Sequence, residues 1–293
     1  MNLFLLILQF GLDYILLSIY VFFFYSLAAM ILPPSSMAEL NASPMLQSSG
    51  LCMCLIIPAI LSRFPFFQRF LIYLMGVRKA KGTERDILEA AAAPIFQRAH
   101  AEREDYHLFV DNKKQLNAYA IGDNNIVVTR PVLSALPIPE ISGILAHEMG
   151  HLQHRHTRWL LISYGMSMPL AVSNFLYRII VMVLSLFLAI PILGFLIALF
   201  VFVFNVLIRI TSACMGLPIH LLELYNSRQN EYEADRYACS IGLGAELYAA
   251  LSAITQNGAY EQTGFLATLF SDHPLTRDRL ERLAEMVQNG VGE

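Results

Sequence analysis

Residues 139–151 read Pro139-Glu140-Ile141-Ser142-Gly143-Ile144-Leu145-Ala146-His147-Glu148-Met149-Gly150-His151, and the arrangement of the rest of the chain turns on this stretch. Proline has no N–H to lose in the first turn of a helix, and an acidic residue beside it is favoured by the helix dipole, so a helix is expected to start at Pro139 and Glu140. It is expected to run through Ile144, His147 and His151 to about Thr157. On such a helix the imidazoles of His147 and His151, four residues apart, stack on one face about 6 Å from each other, a spacing from which both can ligate one ion. Glu148 lies next to His147 around the helix, where its carboxylate can act as a general base without ligating.

Two histidines make half a tetrahedral site. A catalytic zinc ion takes three protein ligands and keeps one position open, so a third ligand must come from elsewhere. The metzincin spacing is absent, because positions 154 and 157 hold His154 and Thr157. His154 and His156 read as polar residues near a membrane edge, with a ligand or gating role as the lesser reading. Far downstream, Ser227-Arg228-Gln229-Asn230-Glu231-Tyr232-Glu233-Ala234-Asp235-Arg236-Tyr237-Ala238 places Glu231 and Asp235 on one helix face. The small residues Ala234 and Ala238 beside them would let that face approach another helix closely. Alone, this segment is a solvated acidic face; beside a histidine pair that lacks a partner, Glu231 can complete the site. Asp235 would then accept a hydrogen bond from a ligating histidine and fix its ring. The neighbouring acids fit less well. Glu233 points about 200° away from Glu231 on a helix of 3.6 residues per turn, and Glu223 lies more than two turns away with no acid four residues on.

Composition sets the surroundings of this site. The chain of 293 residues is 56% hydrophobic and 15% charged, well outside ordinary soluble usage. A net charge of −3 with no run of either sign gives no footprint for nucleic acid. Cys52, Cys54, Cys214 and Cys239 are few and scattered, which implies small hydrophobes rather than a disulfide framework or a metal pair. Residues 3–31 are apolar except for Asp13 and read as a retained span, with Asp13 near a membrane interface. A Pro/Ser-rich loop over 32–50 comes next, in which Asn41-Ala42-Ser43 is a chance match to a glycosylation acceptor, and a second apolar stretch covers about 46–62. Arg63, Arg69, Arg78, Lys79, Lys81 and Arg85 lie directly beyond it, so the positive-inside rule puts the chain after the second span in the cytoplasm. Residues 83–104 have helical spacing; Leu108–Asp111, Leu116–Ile121 and Asn125–Thr129 have strand character, the last two joined by the turn residues Gly122-Asp123-Asn124. Residues 159–222 are apolar again, broken by Arg178 and Arg209, with Pro191 and Gly194 near the middle.

The expected fold is therefore a mainly α membrane protein, with about four transmembrane helices and a cytoplasmic α+β zincin-type catalytic domain carrying a small β-sheet. Its parts are a membrane hairpin over 1–76, a catalytic part over 77–158, a second hairpin over 159–222 and a helical part over 223–293.

Asn117-Ala118-Tyr119-Ala120, Ala146-His147-Glu148-Met149-Gly150-His151 and Glu231-x-x-Ala234-Asp235, with the weaker His273-Pro274 and Arg279-Leu280, resemble the membrane zinc peptidase family that includes HtpX-type heat-shock proteases, type I CAAX prenyl proteases and mitochondrial inner-membrane relatives. The resemblance implies one zinc ion per chain on His147, His151 and Glu231, with Glu148 as base and Asp235 as supporting acid. It further implies His273 near the oxyanion, a role that competes with a structural one at a helix start. Residues 117–120 become an edge that pairs with extended substrate. The implied protein is a multi-pass membrane endopeptidase of cytoplasmic action on membrane or misfolded polypeptides, in the inner membrane if the source is bacterial. The length and the four spans favour the HtpX type, although the connection near Pro191 is short and uncharged. A CAAX-type processing protease and a catalytically silent membrane scaffold are the rival readings. An intramembrane protease is disfavoured, because Glu140, Arg155 and Arg158 flank the histidine pair and the later apolar segments contain no acid.

If His147 and Glu231 meet at one ion, the apolar stretch between them crosses the membrane an even number of times. Cysteines introduced at positions 160 and 225 should therefore be labelled from the same side; labelling from opposite sides would rule out the shared site.

Overall fold

The structure, a computed structural model, describes residues 3–33, 44–256 and 277–289, without the side chains of residues 31, 44–47, 215–225, 256 and 277. The Asn41-Ala42-Ser43 pattern and His273 lie outside the described residues. The chain divides into two compact units, 1–62 with 161–224, and 63–160 with 225–293.

The first unit is helical and apolar. Its helices are α1 (Leu3–Ile31), α2 (Pro44–Leu61), most of α7 (His156–Ser185) and α8 (Pro191–Thr211). Among the described residues, three helices are long and apolar enough to cross a membrane, over Leu3–Met30, His156–Ser185 and Pro191–Cys214, and a broken pair over 48–61 and 65–74 makes a fourth if counted as one span. The break precedes Pro65, the first residue of α3 (Pro65–Leu74); it holds Phe64 in extended backbone at φ −77° and ψ 136°, as a following proline requires. Phe23 is fully buried and makes edge-to-face contacts with Tyr177 at 4.7 Å and Phe204 at 5.0 Å between ring centroids, the geometry aromatic quadrupoles prefer. Polar side chains add a second tie: the Gln9 amide donates to Ser167 Oγ at 2.8 Å, and the Ser167 hydroxyl is 2.8 Å from Asp13 Oδ2. Asp13, expected near an interface, is buried within this unit. Arg178 is exposed, so within a membrane its guanidinium would have to snorkel.

The second unit is α+β. Helix α4 (Thr83–Ala99) ends where His100 adopts the left-handed conformation at φ 50°, five residues short of the helix expected to 104. Strands β1 (Arg78–Lys79), β2 (His107–Asp111), β3 (Ala118–Ile121) and β4 (Asn125–Thr129) form one sheet in the order β1-β2-β4-β3. The pair β2 and β4 is parallel; the pair β3 and β4 is the expected hairpin, turning at Gly122 with φ 69°. Central β4, Asn125-Ile126-Val127-Val128-Thr129, is buried throughout, as β-branched residues flanked on both sides allow. Short β1 has no counterpart among the expected strands.

Helix α5 (Arg130–Ala135) leads into α6 (Ile138–Gln153), which is buried without interruption from Ile141 to Leu152. Small residues let neighbours reach its axis. A Cβ on Gly143 would lie 2.3 Å from the backbone nitrogen of Leu247 in α10 (Gly244–Gln256), and one on Gly150 would lie 2.9 Å from Cα of Ala234 in α9 (Leu217–Ser240). The last described helix, α11 (Arg277–Gln288), adds fully buried Leu283 to the same core.

Gly143→Ala should thus force α6 and α10 apart, at a cost of about 1–3 kcal/mol from overpacking. A cost of that size lowers the thermal midpoint of the detergent-solubilised protein by on the order of 5 °C. Gly11→Ala, with open space around the position, is the control and should leave the midpoint unchanged or slightly raised.

Candidate metal centre

Helix α6 carries His147 and His151 on one face, one turn apart, and α9 brings Glu231 against both. His147 Nε2 is 3.2 Å from His151 Nε2, 3.3 Å separates it from Glu231 Oε2, and His151 Nε2 is 3.3 Å from Glu231 Oε1. All three residues are buried, and they form the one potential metal-holding group of His, Cys, Asp and Glu among the described residues. The approach that permits this is the contact of Gly150 with Ala234, one of the two alanines expected to allow close helix packing.

The donor set fits zinc. Around a tetrahedral ion with bonds of ~2.0–2.1 Å, neighbouring donor atoms stand about 3.3 Å apart, close to the 3.2 Å between the two Nε2 atoms and to the 3.3 Å from each of them to its own oxygen of the Glu231 carboxylate. Charge fits as well. Three buried carboxyl groups, Glu148, Glu231 and Asp235, gather against one buried guanidinium, Arg279. Ionised, they leave two negative charges, the complement of a divalent cation.

Asp235 lies one turn after Glu231, with Oδ1 2.9 Å from His147 Nδ1. An ionised carboxylate only accepts hydrogen bonds, so His147 Nδ1 carries the hydrogen and Nε2 keeps its lone pair toward Glu231 and His151. Burial by itself would lower the pKa of His147, but Asp235 and Glu231 outweigh it and raise the value; the cluster favours positive charge at this point. Asp235 is also desolvated, yet His147 and Arg279 pull its pKa below the usual aspartate value.

Arg279, part of only a weak sequence match, turns out to be central. Its Nε and Nη2 donate to the two oxygens of Asp235 at 2.9 and 2.7 Å, and Nη1 reaches Glu231 Oε2 at 2.6 Å. The available signal was its place on the apolar stripe of α11, four residues before Leu283. His273 lies outside the described residues, as does the side chain of Glu223.

His156 departs from its expected role. The helix expected to reach Thr157 stops at Gln153, and Arg155 takes the left-handed conformation at φ 59° before α7 begins at His156. This turn brings His156 Nδ1 to 3.1 Å from His151 Nδ1, with its Nε2 2.9 Å from Glu233 Oε2. Glu233 does point away from the histidine pair, as the helical phase required, but it is engaged through His156. His154 is exposed.

Asn117 precedes β3, and its carbonyl accepts from the Thr129 backbone N–H at 2.9 Å, continuing the ladder with β4. Strand β3 is the sheet's edge, and Asn117 and Ala118 line a cleft with His147, Glu148, Leu247 and Arg279. Cys239 is no competing ligand: burial, helped by Asp235, raises its thiol pKa to about 11.

Residues 81–287, more than half of the chain, match the model for peptidase family M48. A protease HtpX homolog of Ralstonia pickettii is 30% identical over 218 residues, 62% of this chain and 68% of that protein. One from Burkholderia thailandensis is 29% identical over the same shares, and one from Burkholderia mallei is 28% identical over 266 residues, 77% of this chain and 84% of the relative. Family model and apolar helices agree with the buried histidine and glutamate cluster: this chain belongs to peptidase family M48, as an HtpX-like membrane metallopeptidase.

Proposed function

We propose that the chain is a zinc-dependent endopeptidase acting at the cytoplasmic face on membrane or misfolded proteins, in protein quality control. The observation that carries the reading is the convergence of His147 Nε2 and His151 Nε2, 3.2 Å apart, on the Glu231 carboxylate, which presents Oε2 to the first and Oε1 to the second at 3.3 Å each. The cytoplasmic assignment rests on the basic residues from Arg63 to Arg85 and the positive-inside rule.

A bound zinc ion supplies Lewis acidity that polarises a carbonyl and acidifies water. Glu148, 2% exposed and lining the same cleft as His147, takes the proton from the attacking water and returns it to the leaving amine. Asp235 keeps His147 in the tautomer whose Nε2 lone pair is turned toward Glu231 and His151. Edge strand β3 with Asn117 binds substrate in extended form through main-chain hydrogen bonds, a mode that tolerates many side chains. Leu247, Leu251 and Ile254 give the cleft an apolar wall that excludes water and accepts apolar substrate side chains. The resemblance adds His273 beside the oxyanion.

Glu148→Gln should retain zinc at wild-type stoichiometry in the detergent-purified protein and lose casein hydrolysis by 100-fold or more, in line with the ~10²–10⁴-fold contribution of a positioned base. Near-wild-type turnover would refute the base assignment. Glu231→Ala should lose zinc and hydrolysis together, as metal analysis of the same preparations will record; full zinc occupancy in that variant would remove Glu231 from the ligand set.

A further inference from the structure

Both candidate histidine ligands must present Nε2, and each therefore needs something to hold Nδ1. For His147 that group is Asp235. For His151 the structure offers a two-residue chain that ends at the surface. His151 Nδ1 is 3.1 Å from His156 Nδ1, and His156 Nε2 is 2.9 Å from Glu233 Oε2. The His151 side chain is 7% exposed, that of His156 10% and that of Glu233 48%.

The hydrogens along this chain follow from what each group can do. An ionised Glu233 only accepts, so Nε2 of His156 carries a hydrogen and donates it. A neutral His156 then has its lone pair on Nδ1, and the short contact there requires His151 to donate from its own Nδ1. His151 is left with its lone pair on Nε2, the atom 3.2 Å from His147 Nε2 and 3.3 Å from Glu231 Oε1. From Glu233 through His156 to His151 each hydrogen bond has one donor and one acceptor, and the tautomer left on His151 is the one an ion at this point needs.

Backbone geometry is committed to this contact. On an uninterrupted helix, five residues of about 100° each would swing His156 some 140° away from His151. Arg155, a non-glycine residue at φ 59°, reverses the chain and returns His156 to the His151 ring; a left-handed residue without a glycine's freedom is strained and is kept where surroundings hold it. The donor atoms of His156 face Glu233 and His151, so it is not itself a member of the ligand trio.

We infer that His156, anchored by Glu233, is a positioning residue that fixes the ring and tautomer of His151 for metal binding. The inference rests on the proposed metal site formed by His147, His151 and Glu231.

The test measures zinc affinity of the full-length protein in detergent, by competition with a chromogenic chelator, together with the visible spectrum of the cobalt-substituted protein. His156→Phe keeps the ring and removes both nitrogens; zinc affinity should fall about 10-fold or more, within the ~10–100-fold range for loss of a ligating histidine's partner, and the cobalt bands should shift or weaken. His156→Gln, whose amide can accept from His151 and donate to Glu233, should restore affinity to within about threefold of wild type. Glu233→Leu should give a smaller loss in the same direction, and it serves as the deciding variant if His156→Phe does not fold. Wild-type zinc affinity in His156→Phe, or in Glu233→Leu if that variant decides, would overturn the inference while leaving the metal site intact. Equal zinc affinity in Glu231→Ala and wild type would overturn the site itself, and the inference with it. Equal loss in His156→Gln and His156→Phe would also overturn it, because packing rather than hydrogen bonding would then be responsible.

Discussion

Three carboxyl groups and two imidazoles lie buried together beside one cleft, and the second unit is organised around making that concentration of charge tolerable. A buried carboxylate is strongly unfavourable unless paired and hydrogen-bonded. Arg279 meets part of this demand, with three short contacts to Asp235 and Glu231. It thereby ties α11 to α9 by charge, beyond the apolar contacts of Leu283. The remaining negative charge is what makes a divalent cation the natural further partner, and raises the pKa of His147 in spite of its burial.

Such a cluster can assemble only if helix axes come closer than ordinary side chains permit. Glu231 has a short reach, so α9 must pass near the histidine face of α6. Gly150 and Ala234 remove the side-chain layer at that crossing, and Gly143 does the same between α6 and α10. The stripe of Gly143, Ala146 and Gly150 thus lies beside the histidines for a mechanical reason. The small residues set the distance, and the polar residues then occupy the space left. The sheet stands on the other side of this core, and its edge strand with Asn117 reaches the same cleft as Glu148.

Much of this was legible because local rules carry it. Four-residue spacing placed His147 and His151 on one face, the same rule paired Glu231 with Asp235, and short strand-type runs on either side of the turn residues Gly122-Asp123-Asn124 gave the hairpin. Long apolar segments gave the membrane helices, although the helix broken before Pro65 blurred the count. The rest required knowledge of where separate elements meet. Arg279 is one arginine among many until α11 is seen to turn its apolar stripe, Arg279 included, toward α9. His156 was hidden by a single residue: helical phase applied past Gln153 points it away from the site, and only the left-handed Arg155 reverses that. Nothing in the identity of Arg155 announces such a turn, since glycine or asparagine would be the usual signal.

The two histidines are oriented by partners of different charge, and burial accounts for the difference. Nδ1 of His147 faces the buried side, where Asp235 can remain ionised because Arg279 grips both its oxygens. Nδ1 of His151 faces the side of half-exposed Glu233. A fourth carboxylate placed directly on its Nδ1 would add a negative charge without a second arginine to offset it, leaving the proposed ion in an excess of charge. Inserting the neutral ring of His156 avoids this: the hydrogen-bonding demand is passed outward by one residue, and the charge that anchors it rests on half-exposed Glu233, where water screens it. Direction is thus imposed on both rings, while only one of the two orienting carboxylates has to be buried.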